Sequence, residues 1–345
     1  MSDVRIGVIN WDCALPEDTY FGYHQTRTLS PRKYRTQTPY YADILGEDRI
    51  AYHYKSAEEY DRELDYAIAA GIDYFAYVFY PDEGSRSHVC NGPCDCSHKV
   101  HELNYARQMH ERSPKRDKIG IAAIVAKHPF APSDISRLVA LMGEPYYERI
   151  GERPLVYLFQ DINEPLLDKI REECDRQSIP RPYFSAMMNE PPEDLNYSAV
   201  DSLSAYACGK CGITAYSELC DDLLLGNEAR LSKGRGLIPL FTTGWDPSPR
   251  IDIPSPWVKY EDLSYAKAAS SEELITGAER LTDWIEEKAS DAFIGHIITF
   301  AWNEFEEGGW ICPTYNPDLS INTERVATFA RISRYFKDRL NKEKK

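Results

Sequence analysis

The chain predicts an α/β fold built as a (β/α)8 TIM barrel, a single domain with long loops after its first and seventh strands. Three observations carry that reading. Short, near-continuous apolar runs alternate with amphipathic stretches almost from end to end, the pattern of parallel strands buried on both faces and joined by helices. Eight such runs can be counted, the number that closes a barrel. The length of 345 residues fits one barrel as readily as two average domains.

"RIGVINWD" is the first run. "SAEEYDRELDYAIAAG" follows as a helix, with Ser56 at the N-cap, Glu59 three residues later and Gly71 at the stop, and it leads into "IDYFAYVFYP". "HKVHELNYARQMHER" precedes "KIGIAAIVA", and a shorter interval at 132–142 precedes "PLVYLFQD". "NEPLLDKIREECDRQ" leads to "PYFSAMMN", and a second short interval, 191–199, leads to "VDSLSAYA". "ITAYSELCDDLLLGNEARL" and "SEELITGAERLTDWIEEKA" precede the last two runs, "LIPLFTTGWD" and "FIGHIITFAWNE". A helix near "TERVATFARISRYFKDRL" ends the fold. Residues 1–340 are expected to form one catalytic domain and 341–345 a solvated tail. Insertions at 13–57 and 247–270, rich in Tyr, Pro and Arg, follow carboxyl ends of strands, the face where barrel loops converge and ligands bind.

A formal charge of −15 argues against nucleic acid or an anionic membrane as the main partner. No apolar run approaches the roughly 20 residues of a membrane span. As it begins, the chain reads as cytoplasmic; with a leader ahead of it, it would read as periplasmic or secreted. Cys90, Cys94 and Cys96, with Cys208 and Cys211, form two clusters, to be read as a structural metal, a disulfide pair or free thiols. Neither cluster repeats a regular CxxC pair, and each would need a partner distant in sequence; at the candidate site itself no metal and no cofactor is expected.

The strands end in polar and aromatic residues that a barrel would gather round one cavity. Trp11 and Asp12, Tyr80, Lys127, Asn189, Trp245 and Asp246, Arg250, Trp302, Asn303 and Trp310 are candidate substrate-binding residues, with His53 from the first insertion. Each could equally cap a helix or be solvated. Aromatic faces stack on a sugar ring while carboxylates and amides meet its hydroxyls, so the combination points to a carbohydrate. Arg27, Arg32, Lys33 and Arg35 leave room for an anionic one.

"TFAWNEFEEGGW", residues 299–310, concentrates the chemistry: three glutamates between Trp302 and Trp310. Residues three apart on a strand face opposite sides, so Glu304 and Glu307 share a cavity only if the chain turns after Asn303, which "EEGG" permits. Two nearby carboxyls can be split into an ionised base and a protonated acid, as glycosidic cleavage requires. Glu306 reads as solvated or structurally hydrogen-bonded.

"AWNEFEEGGWICP" resembles the "WNEW-x-EG-x-x-x-EP" signature of glycoside hydrolase family 99 and the related WbsX-like proteins. "GWDPSPR", which ends at Arg250, is similar to that family's "GWDNTPR", "AIAAGIDYFAYVFYP" to its second helix and strand, and "GERPLVYLF" to its "G-x-P-x-x-x". The resemblance runs from about residue 58 to 312. It implies a hydrolase that cleaves an α-linked poly- or oligosaccharide with retention. Glu304 would take a proton from the sugar's 2-hydroxyl, which attacks the anomeric carbon to give a 1,2-anhydro intermediate; Glu307 would be the general acid. The chain departs from the signature at Phe305, Glu306 and Cys312 and throughout the loop 13–57, so α-mannan as substrate is not carried over.

Two alternatives stay open. A glutamyl nucleophile at Glu304 could pair with Glu164 of "QDINEP" as acid/base, although Asn163 and Pro165 also suit a capped helix start. A non-hydrolytic carbohydrate-binding or glycosyltransferase-like protein would bind a glycan without cleaving it.

Overall fold

A computed structural model describes residues 3–82, 101–209, 212–256, 260 and 264–341. Parallel strands form its centre: β1 (Arg5–Asn10), β2 (Tyr74–Phe79), β3 (Gly120–Val125), β4 (Arg153–Phe159), β5 (Tyr183–Met187), β6 (Ser202–Ser204), β7 (Gly236–Leu237), β8 (Leu240–Thr242) and β9 (His296–Phe300). They lie in the order β7-β6-β5-β4-β3-β2-β1-β9-β8, with a short antiparallel strand, Arg149–Ile150, beside β4. The sheet curls, because its two end strands are consecutive pieces of one segment, 236–242. Pro239 explains the split in the "LIPLFTTGWD" run: it has no N–H to give. The ladder nevertheless continues on both sides, with Ile238 N donating to Leu203 O at 2.9 Å and Ile298 N donating to Pro239 O at 3.1 Å.

Helices follow the strands as the sequence predicts. α1 (Tyr20–Leu29) lies in the first insertion, which was read only as a long loop; Thr19 caps it through Gly22 N. α2 (Ala57–Ala69) starts on the reciprocal Ser56/Glu59 capping box. α3 (Tyr105–Arg112) starts later than its sequence pattern suggests, because Asn104 is tied to the end of β2: its side chain accepts from Tyr80 N at 3.1 Å and donates to Tyr80 O at 2.8 Å. Interval 132–142 is a full helix, α4 (Pro132–Met142), whereas 191–199 contains none. α5 (Glu164–Gln177), α6 (Tyr216–Leu231), α7 (Ser248–Asp252), α8 (Ser271–Trp284) and α9 (Glu324–Leu340) complete the set. Asn341, the first residue of the expected tail, accepts from Val4 N at 2.9 Å through its side chain.

Inside the sheet, packing is aromatic. A Cβ at Gly7 would collide with the ring of Tyr74, so the glycine lets that ring cross toward Tyr157, whose hydroxyl is 2.7 Å from its own. Tyr60, Tyr77 and His110 form a second buried chain. His110 Nε2 faces Ile119 O at 3.0 Å and must donate to it, so Nδ1 accepts from the Tyr77 hydroxyl and the ring is neutral. Burial pushes its pKa down from 6.5 to about 4. The unfolded chain therefore takes up a proton below pH 6.5 that the folded chain refuses until about pH 4, and stability falls as the pH drops through that window. The loss attributable to this ring is roughly 3 kcal/mol. Urea unfolding at either end of the window should show a shallower acid loss in His110→Gln; an unchanged pH dependence would contradict the assignment.

Among the described residues no group of three or more His, Cys, Asp or Glu could hold a metal, and no helix is long and apolar enough to cross a membrane. Cys13, Cys174, Cys220 and Cys312 have free thiols. Cys90, Cys94, Cys96 and Cys211 lie outside the described residues.

Candidate active site

Beyond β9 the chain enters a small hairpin, Asn303–Glu304 against Gly309–Trp310, closed by a 3-10 turn at Phe305–Glu307. This is the turn that "EEGG" suggested. Asn303 fixes it to β1: its amide oxygen accepts from Trp11 N at 2.9 Å and its nitrogen donates to Asn10 Oδ1 at 3.0 Å. Gly308 has φ +77°, and a Cβ there would collide with Asp246 N; a Cβ at Gly244 would collide with Gly308 O. The turn and the loop after β8 thus cross at two glycines. Gly308→Ala adds both left-handed strain and the clash, an expected loss of about 1–3 kcal/mol in chemical unfolding. A loss below a few tenths would contradict this packing.

All three glutamates are buried, and one cation meets them all. The Arg250 guanidinium, on α7, donates through Nη1 to Glu307 Oε1. Its Nε and Nη2 donate to Glu306 Oε2 at 3.3 and 3.0 Å. Its Nη2 is 3.8 Å from Glu304 Oε2. Burial works to lower the Arg250 pKa, but the charges of Glu307, Glu306 and Glu304 outweigh it and raise it. Two phenols complete the shell: Tyr260 donates to Glu307 Oε1 at 2.6 Å, and Tyr206 donates to Glu304 Oε1 at 2.9 Å. Burial first, and the charge of Glu307 second, push Glu304 up to about 8, against the opposing pull of Arg250 and Tyr206. Glu306 takes the structural role foreseen as one option, since Thr28 of α1 donates to its other oxygen.

Aromatic surfaces stand beside the carboxylates. Trp11 Nε1 donates to the Tyr80 hydroxyl at 2.7 Å, and the Trp11 ring lies 5.6 Å from the Arg250 guanidinium. Tyr80 stacks on His101 with centroids 4.4 Å apart. Trp245 is half-buried between Tyr260 and Phe300, at 6.0 and 5.9 Å.

Other candidates have structural partners instead. Asp12 pairs with Lys55 beneath the site and also accepts from Ala14 N at 3.0 Å. Trp302 is fully buried and donates to Glu63 at 2.7 Å, so it offers no face to a ligand. Trp310 is buried with the Arg325 guanidinium 4.0 Å over its ring. Asn189 holds the loop carrying Tyr206, accepting from Tyr206 N and Ala207 N at 3.0 and 3.2 Å. Asp246 caps Ser248 N and gives its own N–H to Glu307 O at 2.6 Å. His53 is bound between Asp43 and Glu59, at 3.1 and 3.0 Å, and no hydrogen bond or ion pair among the described residues links it to the glutamates. Lys127 is exposed beside His128 and Asp161 in a separate small cavity. Glu164 is exposed in the first turn of α5, where Asn163 caps Leu166 N at 3.2 Å.

The first insertion is a buttress more than a binding loop. α1 packs on α7 and on the 305–307 turn, and Tyr34, Tyr40, Tyr41 and Tyr52 are buried. Its basic residues are engaged: Arg27 with the Tyr23 hydroxyl, Arg32 with Glu47, Lys33 with Asp252 and Arg35 with the carbonyls of Gly46 and Glu47.

Tyr206, Tyr260, Lys55 and Glu63 were not singled out from the sequence. Tyr206 carried the same signal as Tyr80, a polar tip at a strand's carboxyl end. Glu63 carried another: it sits in helical step with Tyr60, Leu64 and Ala67, an acid on an apolar face.

No protein-family model and no curated protein matches the chain. Solved structures do. A GH99 endo-α-mannosidase from Bacteroides thetaiotaomicron, in complex with BIS-TRIS-propane, matches with TM-score 0.61 over 99% of this chain and 100% of that one, at 10% identity. A further structure of the endo-α-mannosidase from that organism gives 0.56 over 88% and 87%, at 12% identity. A glycoside hydrolase-like protein gives 0.58 over 97% and 94%, at 12% identity. Over nearly its whole length, then, the chain has the fold of the GH99 endo-α-mannosidase, the fold that the "AWNEFEEGGWICP" resemblance implied.

Proposed function

We propose that the protein is a glycoside hydrolase that cleaves an α-linked poly- or oligosaccharide with retention, by participation of the sugar's 2-hydroxyl. The sheet then counts as an eight-stranded (β/α)8 barrel, with 236–242 as one strand, and residues 1–340 as one catalytic domain. The observation that carries the reading is the pairing of Glu304 and Glu307 on one buried turn. Both meet a single guanidinium, each accepts from its own phenol, and Trp11, Tyr80 and Trp245 stand alongside. Such a pair can keep one carboxyl protonated to give its proton to the leaving oxygen and the other ionised to take the proton of the 2-hydroxyl. The engagement of Arg27, Arg32, Lys33 and Arg35 elsewhere favours a neutral sugar.

A panel of neutral and anionic α-linked glycans, followed by reducing-end release and by proton NMR of the first-formed anomer, tests this reading. Cleavage of a neutral glycan with retained configuration is expected. Net inversion would exclude the 2-hydroxyl route, and no cleavage of any glycan would overturn the enzyme reading.

A further inference from the structure

We propose that the cavity between the starts of α8 and α9 is a second carbohydrate-binding site, which holds a neutral sugar residue apart from the glutamates. The chemistry of its lining gives the ligand class, so the site does not depend on the glycosidase reading above.

The cavity has a volume of about 280 Å³, near the lower end of the roughly 300–1,000 Å³ of small-ligand clefts. Its walls come from parts of the chain far apart in sequence: the end of the 3-10 segment Arg32–Gln37, the start of α8, the segment at Trp310 and the first turn of α9. The loops that follow β8 and β9 meet here, on the face where barrel ligands bind. None of Arg250, Tyr206, Tyr260, Trp11, Tyr80 and Trp245 is among the described residues that line it.

Arg325 supplies the cation of this cavity. Its Nη1 uses both hydrogens on carbonyls, Thr243 O and Trp310 O, each at 3.0 Å. What remains is the Nε–Nη2 edge, a planar two-point donor. Among the described residues neither nitrogen has a hydrogen-bond partner, and no carboxylate pairs with the guanidinium. The Trp310 ring covers one face of it at 4.0 Å. Burial accordingly pulls the Arg325 pKa down to about 10, with Tyr216 and Glu324 opposing only in part. A half-buried fork of this kind is completed by a ligand oxygen.

The other polar groups of the lining decide what carries that oxygen. Glu324 Oε1 accepts from Ser271 Oγ at 2.7 Å, and its second oxygen has no hydrogen-bond partner among the described residues. The Gln37 amide has none either, its buried Oε1 included. A free anion would satisfy Arg325 but would meet Glu324 and also Glu273, whose carboxylate accepts from Ser270 N at 2.9 Å in the same wall. A hydroxyl accepts from the guanidinium and donates to a carboxylate, and adjacent hydroxyls of one ring serve both together. Trp310 and Leu274 add apolar surface for the C–H groups of that ring. Unserved donors, unserved acceptors and an apolar wall in one small cavity fit a neutral sugar.

Indole 15N–1H NMR of the full chain reads the site through Trp310, whose resonance is assigned by its loss in Trp310→Phe; Trp11 and Trp245 are assigned likewise. The methyl α-pyranosides of glucose, galactose and mannose are titrated to about 100 mM each, with inorganic phosphate and glucuronate as anionic arms. At least one neutral pyranoside should move the Trp310 resonance saturably, along an isotherm that the Trp11 and Trp245 resonances beside the glutamates do not follow. Arg325→Met should weaken that binding about tenfold or more, the cost of losing hydrogen bonds from a charged donor. Should Arg325→Met fail to fold, because it also frees the carbonyls of Thr243 and Trp310, Gln37→Ala should weaken the binding about threefold. An isotherm that the folded variant leaves unchanged, a response to phosphate or glucuronate alone, or no response at Trp310 to any of the three pyranosides would overturn the proposal. None of these readings needs cleavage of a glycan, so failure of the glycosidase reading is seen separately.

Discussion

Replacing Lys55 by methionine is expected to lower the unfolding free energy by about 3–5 kcal/mol, the cost of leaving buried carboxylates without their cation. Lys55 is 2% exposed and lies between Asp12 and Glu63, the latter at 2.6 Å. Its ammonium also faces the rings of Tyr41 and Tyr60, at 4.4 and 5.3 Å. Burial works to lower its pKa, but Asp12 and Glu63 reverse the direction, so the pair of acids holds it charged. The network reaches the Asn303–Trp310 hairpin through Glu63, which accepts from Trp302 Nε1 just before it. Adding Glu63→Gln to Lys55→Met removes one of the orphaned charges and keeps an acceptor for Trp302, so part of the loss should return. Urea denaturation at neutral pH measures both; a single-variant loss below about 1 kcal/mol would mean that the network does not bear on stability.

Arg250→Met should cost a similar amount, about 3–5 kcal/mol, and should disable the site as well. The change strips the guanidinium from Glu306 and Glu307, both buried, and leaves the three carboxyls with no ion pair among the described residues. The like charges then crowd one buried turn without compensation. Arg250→Lys keeps the charge but not the fork that serves two carboxylates at once, and should fall between wild type and Arg250→Met. Thermal or urea unfolding together with turnover on a cleaved glycan checks the pair. Equal stability of Arg250→Met and wild type would contradict the described cluster.

Much of this is legible in the sequence alone. The strand runs were visible because a strand buried on both faces must be apolar along its length, and α2 was visible because Ser56 and Glu59 announce its start. The turn that carries the candidate glutamates was visible because two glycines follow three acids, and Gly308 does adopt a left-handed conformation. What stayed hidden depended on distance in sequence. Nothing local to Trp302 says that it donates to Glu63, 239 residues away, and is therefore core instead of a sugar platform. Arg250 looked like a ligand-binding cation; its saturation by Glu306 and Glu307 emerges only when α7 packs on the 305–307 turn. The tyrosine-rich first insertion looked like a binding loop, because aromatic residues serve packing and recognition equally well, and burial alone separates the two uses.

The central claim is that Glu304 and Glu307 act together on a glycosidic bond, and the split between turnover and affinity tests it most directly. With a glycan that wild type cleaves, Glu304→Gln and Glu307→Gln should each lose turnover by roughly 10²–10⁴-fold while calorimetric affinity stays within a few-fold, and the double variant should be little worse than the weaker single one. Turnover that survives in both single variants, or affinity that collapses along with it, would contradict the account.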